Sequence, residues 1–334
     1  MHKKWQTAVI VFILGLAIPG ILLDRISKTN HSDVNTEIQQ DTKHIQTDPD
    51  VTVSHDNIQI SVLDCDSKVI MMELEEYITC VVLAEMPASF AEEALKAQAV
   101  VARTYTLRRL DGNSKHPGAN VCVKSSCCQG FCSIKEYIEK GGTEESVKKV
   151  SDAVNDTSGI VLTYDGELIE ATYFSCSGGV TEDAVAAWGE DIPYLQSTFS
   201  PGEENAANYV HTVKFTLDDF AGRLGIRSTG NGENLIGRIT YTSGQGVETI
   251  EVGGMLFKGT QIRSKLGLNS TAFVITIIEN NVIITTRGHG HRVGMSQYGA
   301  DAMAANGSTF SEILSHYYLN TELIQYEDEF PAKQ

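Results

Sequence analysis

Residues 81–105, VVLAEMPASFAEEALKAQAVVARTY, decide how the rest of the chain is read, because they set one acidic residue between two helical runs. Ala84 and Met86 flank Glu85, and Pro87 ends the preceding run. Ser89, with Glu92 three residues later, has the form of a capping box that opens the next helix. From there Ala94, Leu95, Val101, Ala102 and Tyr105 recur at helical spacing, with Gln98 on the same inward stripe. Apolar surroundings favour the protonated form of a carboxyl, the form from which a general acid works. Two roles suit Glu85: proton donor in glycoside cleavage, or cap and ion-pair partner of the helix that follows.

Upstream, Ile58, Ile60 and Val62 alternate, the turn formers Asp64, Asp66 and Ser67 follow, and residues 69–72 return, which predicts a hairpin. Residues 73–83 then read as a helix that buries Leu74, Tyr77, Ile78 and Val81 and leads into Glu85. At the N-terminus, residues 5–23 are an almost unbroken apolar run behind Lys3 and Lys4, long enough to cross a hydrocarbon core of about 30 Å. The positive-inside tendency leaves residues 1–4 cytoplasmic and everything after Asp24 across the membrane. A cleaved signal peptide is the other reading, although LLDRIS lacks a small-residue cleavage pattern. Residues 24–55 are polar and without period, the composition of a flexible linker.

The 334 residues suffice for a sizeable core, and the formal net charge of −17 excludes a nucleic-acid binder, which needs clustered Lys and Arg against phosphate. Beyond Tyr105 the run KHPGANVCVKSSCCQGFCSIKEY gathers His116, Cys122, Cys127, Cys128 and Cys132, the donor types that zinc prefers. A disulfide is the alternative on the outer side of a membrane, and seven cysteines leave at least one unpaired. Residues 144–154 form an amphipathic pattern, and residues 160–175 alternate around Asp165-Gly166, a hairpin signal. The segment after it, YFSCSGGVTEDAVAAWGEDIPYL, offers aromatics and hydroxyls of the kind that hold sugar rings, while Trp188 on its own reads as a core residue.

Residues 209–268 read as a smaller α/β segment with strands near 210–215, 238–242 and 248–252, and helices after Thr216 and Gly259. A further hairpin spans residues 273–286 across Asn280-Asn281. The closing run RGHGHRVGMSQYGADAMAANGSTFSEILSHYY, residues 287–318, combines a glycine-rich path with a helix from Ser296 to Ala305 that stops at Asn306-Gly307. His289 and His291 have no third metal ligand near them in sequence, and the glycines fit neither nucleotide-binding pattern.

Three of these runs together carry a resemblance. The residues from Glu75 to Tyr105, EEYITCVVLAEMPASFAEEALKAQAVVARTY, resemble the signature of the stage II sporulation protein D family of peptidoglycan lytic transglycosylases, whose catalytic glutamate precedes Met-Pro; Glu85 takes that place. The family's His-Pro and its two following cysteines are matched by His116, Cys122 and Cys128 with Gln129. By that resemblance these three hold zinc, more as a structural than a catalytic ion, with Cys127, Cys132 or water as the fourth ligand. Tyr173, Ser175, Ser177 and Trp188 match a second block, and His291 and Gln297 a third, in which Arg292 stands where many relatives have Gly. With Gln98, Arg103 and Tyr105 of the first block, these are the residues that the resemblance implies for glycan binding.

The expected fold is α+β: mixed helices and antiparallel hairpins forming a glycan-binding groove, with an N-terminal transmembrane helix. Residues 56–320 would be the catalytic domain, residues 209–270 a smaller subdomain within it, and residues 321–334 a C-terminal tail. The resemblance implies cleavage of peptidoglycan between N-acetylmuramic acid and N-acetylglucosamine to 1,6-anhydro ends, in cell-wall remodelling during engulfment in sporulation. Glycan strands, the membrane, a sporulation amidase and another membrane protein of the engulfment complex are the implied partners. Two other classes fit the residues: a peptidoglycan-binding activator of an amidase, and a zinc-dependent hydrolase whose metal activates water.

Overall fold

The computed structural model describes residues 58–110, 112–207, 209–227 and 234–330, all within the unit His55–Gln334. The expectations for residues 1–4, 5–23 and 24–55 lie outside the described residues. Among the described residues no helix is long and apolar enough to cross a membrane.

Ile60 and Val62 turn inward to make β1 (Gln59–Leu63), and Asp64 Oδ1 accepts the N–H groups of Asp66 and Lys68 at 2.9 and 2.7 Å to close the turn into antiparallel β2 (Val69–Glu73). α1 (Leu74–Glu85) follows directly and stops two residues before Pro87, which disfavours helical backbone at Met86. α2 (Glu92–Leu110) begins at Glu92, so Ser89 is not its cap; instead the Ala91 N–H donates to Asp301 Oδ1 at 2.8 Å. The inward stripe expected for this helix is too narrow. Ala97, Ala99, Val100, Thr104, Thr106 and Leu107 are as buried as Ala94 and Leu95, because the helix is enclosed on all sides.

β3 (Val121–Cys122) lies parallel to β1, and α3 (Ile134–Glu139) and α4 (Glu144–Asn155) are each N-capped by a hydroxyl, from Ser133 and Thr143. β4 (Ile160–Tyr164) and β5 (Glu167–Leu168) form the Asp165-Gly166 hairpin, whose turn residues sit at φ 51° and 77° as a two-residue hairpin turn requires. β5 is shorter than the alternation predicts. Arg108 Nη1 takes the Leu168 carbonyl, and Arg108 with Arg109 holds the Glu170 carboxylate, so the chain leaves the hairpin and re-forms as β6 (Tyr173–Phe174).

After α5 (Ala184–Trp188) come β7 (Val210–Thr216), α6 (Leu217–Leu224), β8 (Ile236–Tyr241), β9 (Val247–Val252), β10 (Met255–Lys258), α7 (Gly259–Leu266), β11 (Phe273–Ile278) and β12 (Asn281–Arg287). The β11–β12 turn is one residue earlier than expected: Asn281 pairs with Ile278, leaving Glu279-Asn280 to turn. β13 (Met295–Ser296), α8 (Gln297–Ala305), α9 (Phe310–Tyr317), β14 (Glu322–Gln325) and α10 (Tyr326–Glu329) complete the order. β14 pairs antiparallel with β4, so residues 322–325 belong to the fold and are not a tail.

The class is α+β: small, mostly antiparallel sheets with the orders β2-β1-β3, β14-β4-β5, β11-β12-β7 and β10-β9-β8, and the parallel pair β13-β6. Two hydrophobic cores form. One surrounds α2 with α1, α4, β4, α8 and α9, and the other joins Leu217, Phe220, Ile250, Ile262, Val282 and Ile284. The β6–β13 pair sets Tyr173 beside Met295 and Phe174 beside Ser296, which places the second sequence block against the third.

Candidate active site

Glu85 is the last residue of α1 and is half-buried. Its Oε1 accepts the Gly130 N–H at 2.5 Å, and its Oε2 lies 3.3 Å from Gln297 Nε2, which also reaches Gln98 Oε1 at 3.5 Å. Gln297 opens α8, capped by Ser296, so residues 212 positions apart meet at one carboxyl. A Cβ at position 130 would stand 2.7 Å from Oε1; the carboxyl occupies the space that the missing side chain leaves. Both carboxyl oxygens thus accept an N–H donor, the shorter bond falling on Oε1.

Two clefts meet at Glu85. One, of about 580 Å³, is lined by Tyr105, Tyr173, Ser175, His291 and Gln297; the other, of about 770 Å³, is lined by Ala84, Val123, Phe131 and Tyr137; Ser125 borders both. A third cavity of about 240 Å³ beside Trp188 shares Arg263 and His291 with the first. The three make an extended groove. Glu85 is the only carboxylate among the described residues lining the two clefts that meet there.

Of the residues expected to bind glycan, Tyr105, Tyr173, Ser175, His291 and Gln297 line the cleft beside Glu85 and Trp188 lines the cavity beyond. The Arg109 guanidinium lies 4.2 Å over the Tyr105 ring and holds it in place. Tyr173 donates to Gln129 Oε1 at 3.1 Å while Gln129 Nε2 donates to Thr106 Oγ1 at 3.0 Å; burial, and the nearby Glu85 charge, hold the Tyr173 phenol protonated well above its ordinary range. Trp188 is 45% exposed, so it is not a core residue. His291 packs 5.5 Å from Trp188, accepts the Val293 N–H on Nδ1 at 3.1 Å, and is pushed down to about 4 by burial and the neighbouring Arg263, which keeps it neutral.

Three expected residues do not reach the groove. Arg103 is wholly buried, its guanidinium donating to both Glu75 oxygens at 2.8 and 2.6 Å and to the Ile160 and Val154 carbonyls, so it clamps α1, α2, α4 and β4 together. Ser177 is buried with its Oγ donating to Glu203 Oε2 at 2.7 Å. Gln98 stands behind Gln297 and positions it rather than facing the groove.

Glu203 is a hub that sequence reasoning missed. Its buried carboxylate accepts from Ser177 Oγ, from the Gly178 N–H at 2.8 Å, from Ser200 Oγ at 2.7 Å and from Ser296 Oγ. It thereby fixes the second block to the cap of the helix that presents Gln297. Arg292 adopts φ 68°, a backbone natural to glycine, and its buried guanidinium offsets that strain by donating to the carbonyls of Ser177, Val180 and Gly244. At Gly294 a Cβ would fall 2.0 Å from the Thr172 carbonyl, so only glycine lets the third block pass this close to the second.

The cysteine loop forms the wall beside Glu85. Nε2 of His116 and the Sγ atoms of Cys122, Cys127 and Cys128 all lie within 4.8 Å of one another, and His116 Nε2 is 3.4 Å from Cys128 Sγ and 3.6 Å from Cys127 Sγ. A tetrahedral zinc with ordinary bond lengths separates a nitrogen and a sulfur ligand by about 3.6 Å. Burial above all pushes the Cys128 thiol up to about 11. Cys132 lies outside this set, its N–H bonded to the Cys80 carbonyl at 3.1 Å, and all seven cysteines are free of disulfides.

The family described as "Stage II sporulation protein" matches residues 66–164, which contain Glu85 and the His-Cys loop that supplies one of its hydrogen bonds. The chain is 43% identical over 255 residues to stage II sporulation protein D of Bacillus subtilis strain 168, covering 75% of this chain and 74% of that one. It is 36% identical over 330 residues to stage II sporulation protein D of Bacillus amyloliquefaciens, covering 96% and 95%. The chain belongs to the stage II sporulation protein D family. It is also 28% identical over 301 residues to the amidase enhancer of Bacillus subtilis strain 168, across 72% of this chain and 39% of that protein.

Proposed function

We propose that this chain is a peptidoglycan lytic transglycosylase, anchored in the membrane by residues 5–23 with residues 58–330 outside the cytoplasm. The observation that carries the reading is that Glu85 is, among the described residues, the only acid lining the two clefts that meet at it. Hydrolysis of a glycoside uses two carboxyl groups, one to protonate the leaving oxygen and one to act on water or the sugar. Cleavage by internal attack needs one. Glu85, as the neutral acid, donates to the bridging oxygen between N-acetylmuramic acid and N-acetylglucosamine. The resulting carboxylate, steadied by the Gly130 N–H, then accepts the proton of the muramyl C6 hydroxyl as that oxygen closes on C1. Trp188 offers an exposed apolar ring face for a sugar, and Ser175 and Gln297 offer hydroxyl and amide groups.

Zinc would be held by His116, Cys122, Cys127 and Cys128. When bound it cross-links the loop, and four protein donors leave no open position for a catalytic water. Its effect on the reaction then runs through Gln129 and Gly130, which follow Cys128 directly and meet Tyr173 and Glu85. The test is Glu85→Gln: the protein should keep its melting temperature while product release falls by two orders of magnitude or more, roughly the share of a positioned acid. Retention of near wild-type turnover would reject the assignment.

The likeness to an amidase enhancer favours a second role, stimulation of a partner amidase in cell-wall remodelling during sporulation. Glu85→Gln separates the two, since an activator role survives it.

A further inference from the structure

The outermost strand of a sheet has N–H and C=O groups without partners, and proteins guard such edges with charge, bulges, proline or short length. Among the described residues, every edge strand of four residues or more is guarded except one. β2 ends in Glu73, β7 carries His211 and Lys214, β10 ends in Lys258, β14 begins with Glu322, and β8 holds Arg238 and shifts its register twice. β11, FVITII, has none of these. It lies at the rim of the order β11-β12-β7 and pairs with β12 along its whole length without a shift, and every residue in it is β-branched or aromatic.

The ladder decides which backbone groups of β11 face outward. Arg287 donates its N–H to the Ala272 carbonyl at 2.8 Å, and bonding alternates along an antiparallel pair. Val274, Thr276 and Ile278 therefore bond to β12, while Ile275 and Ile277 turn their N–H and C=O groups to the rim. The side chains on the outer face are open as well: Val274 is 64% and Ile278 52% exposed, with Thr276 exposed between them. An uncharged strand of this length with a free edge is a template for another strand.

The residues of the rim fit a copy of themselves. VITII, residues 274–278, reads nearly the same in both directions about Thr276. An antiparallel copy with Thr276 on the two-fold axis sets Val274 opposite Ile278, Ile275 opposite Ile277 and Thr276 opposite itself. Ile275 and Ile277 are the residues whose bonding groups face outward, so in this register the free groups of each copy meet those of the other. Apolar side chains then face one another on both sides of the sheet, with no like charges opposed. Two chains of net charge −17 repel, and an uncharged rim is where they can touch.

We propose that β11 is a homodimer interface: two copies of this chain join edge to edge and merge their β11-β12-β7 sheets into one. The inference does not depend on the reaction proposed above, since no residue of β11 lines the clefts that meet at Glu85.

The experiment is sedimentation velocity of the full chain in detergent over a range of protein concentrations, with charges placed at opposed positions. Wild type should sediment with twice the protein mass of one chain and dissociate on dilution. Val274→Lys and Ile278→Glu should each weaken the dimer by about tenfold or more, because each sets a charge against an apolar side chain across the axis. Both side chains are exposed, so melting temperatures should stay near wild type. A one-to-one mixture of the two variants should regain the dimer to within about threefold of wild type, since this register sets the new cation of one copy against the new carboxylate of the other. Leu256→Lys, as exposed on β10, should leave the dimer unchanged. A wild-type monomer at every concentration overturns the interface, as does a dimer that neither variant weakens or a mixture no tighter than the single variants.

Discussion

Replacing Gly130 with alanine tests the geometry of the acid without touching its chemistry. The added Cβ would lie 2.7 Å from Glu85 Oε1 and 3.2 Å from its carboxyl carbon, where ordinary contact begins at 3.4 Å. The glutamate is the flexible partner, so it yields, and Oε1 must retreat by about 0.7 Å (3.4 minus 2.7). That stretches the 2.5 Å bond from the Gly130 N–H beyond useful length and turns Oε2 away from its place 3.3 Å from Gln297. A hydrogen bond to a charged group is worth about 1.5–3 kcal/mol, which corresponds to a rate loss of about 10- to 150-fold. Position 130 is not in the left-handed region and lies at a cleft wall, so the melting temperature should move by no more than about 2–4 °C. The assay is release of soluble products from purified glycan strands at saturating substrate, beside thermal melting of both proteins. A Gly130→Ala protein within twofold of wild type would refute the claim that this N–H holds the catalytic carboxyl.

Arg103→Met should lower stability by about 3–5 kcal/mol, because it strands Glu75 and two carbonyls at the centre of the fold, while oligosaccharide affinity at permissive temperature stays unchanged; denaturant titration and calorimetry read the two separately. The purified chain should carry about one zinc, with Cys122→Ser, Cys127→Ser and Cys128→Ser each lowering metal content and melting temperature together, and Cys132→Ser leaving both in place; metal retained by Cys127→Ser would reopen the fourth position. His291 contributes a pH dependence. Its folded value of about 4 lies below the ordinary 6.5, so the unfolded chain takes up the proton first and stability falls as pH drops from 6.5 toward 4. Unfolding midpoints across that window should slope less in His291→Gln, and an unchanged slope would contradict the burial of a neutral imidazole.

Much of the local structure was legible in the sequence. The Asp165-Gly166 turn, the hairpin closed by Asp64 and the break at Pro87 each arise from residues within a few positions of one another, and the structure contains all three. What failed was the fate of polar side chains whose partners are distant. Nothing around Arg103 announces that Glu75, on another helix, will take its charge, and nothing around Ser177 points to Glu203. The parallel pairing of β6 with β13 joins segments more than a hundred residues apart by two residues each, too short for any periodic signal, yet it sets the second block against the third. Gly130 was invisible for a different reason. A glycine kept for closeness to a side chain looks in sequence like any loop glycine, whereas Glu85 itself stood out because its apolar surroundings are local.

The central claim is that a single carboxyl cleaves the glycan by internal attack, and the chemical nature of the new sugar end tests it most directly. Purified glycan strands digested with the wild-type protein and analysed by mass spectrometry should yield muramyl ends lighter by one water, about 18 Da below the reducing sugar, as 1,6-anhydro closure requires, and Glu85→Gln should yield none. Reducing ends formed in water enriched in ¹⁸O, with the label incorporated, would mean that water is the nucleophile and would contradict the account.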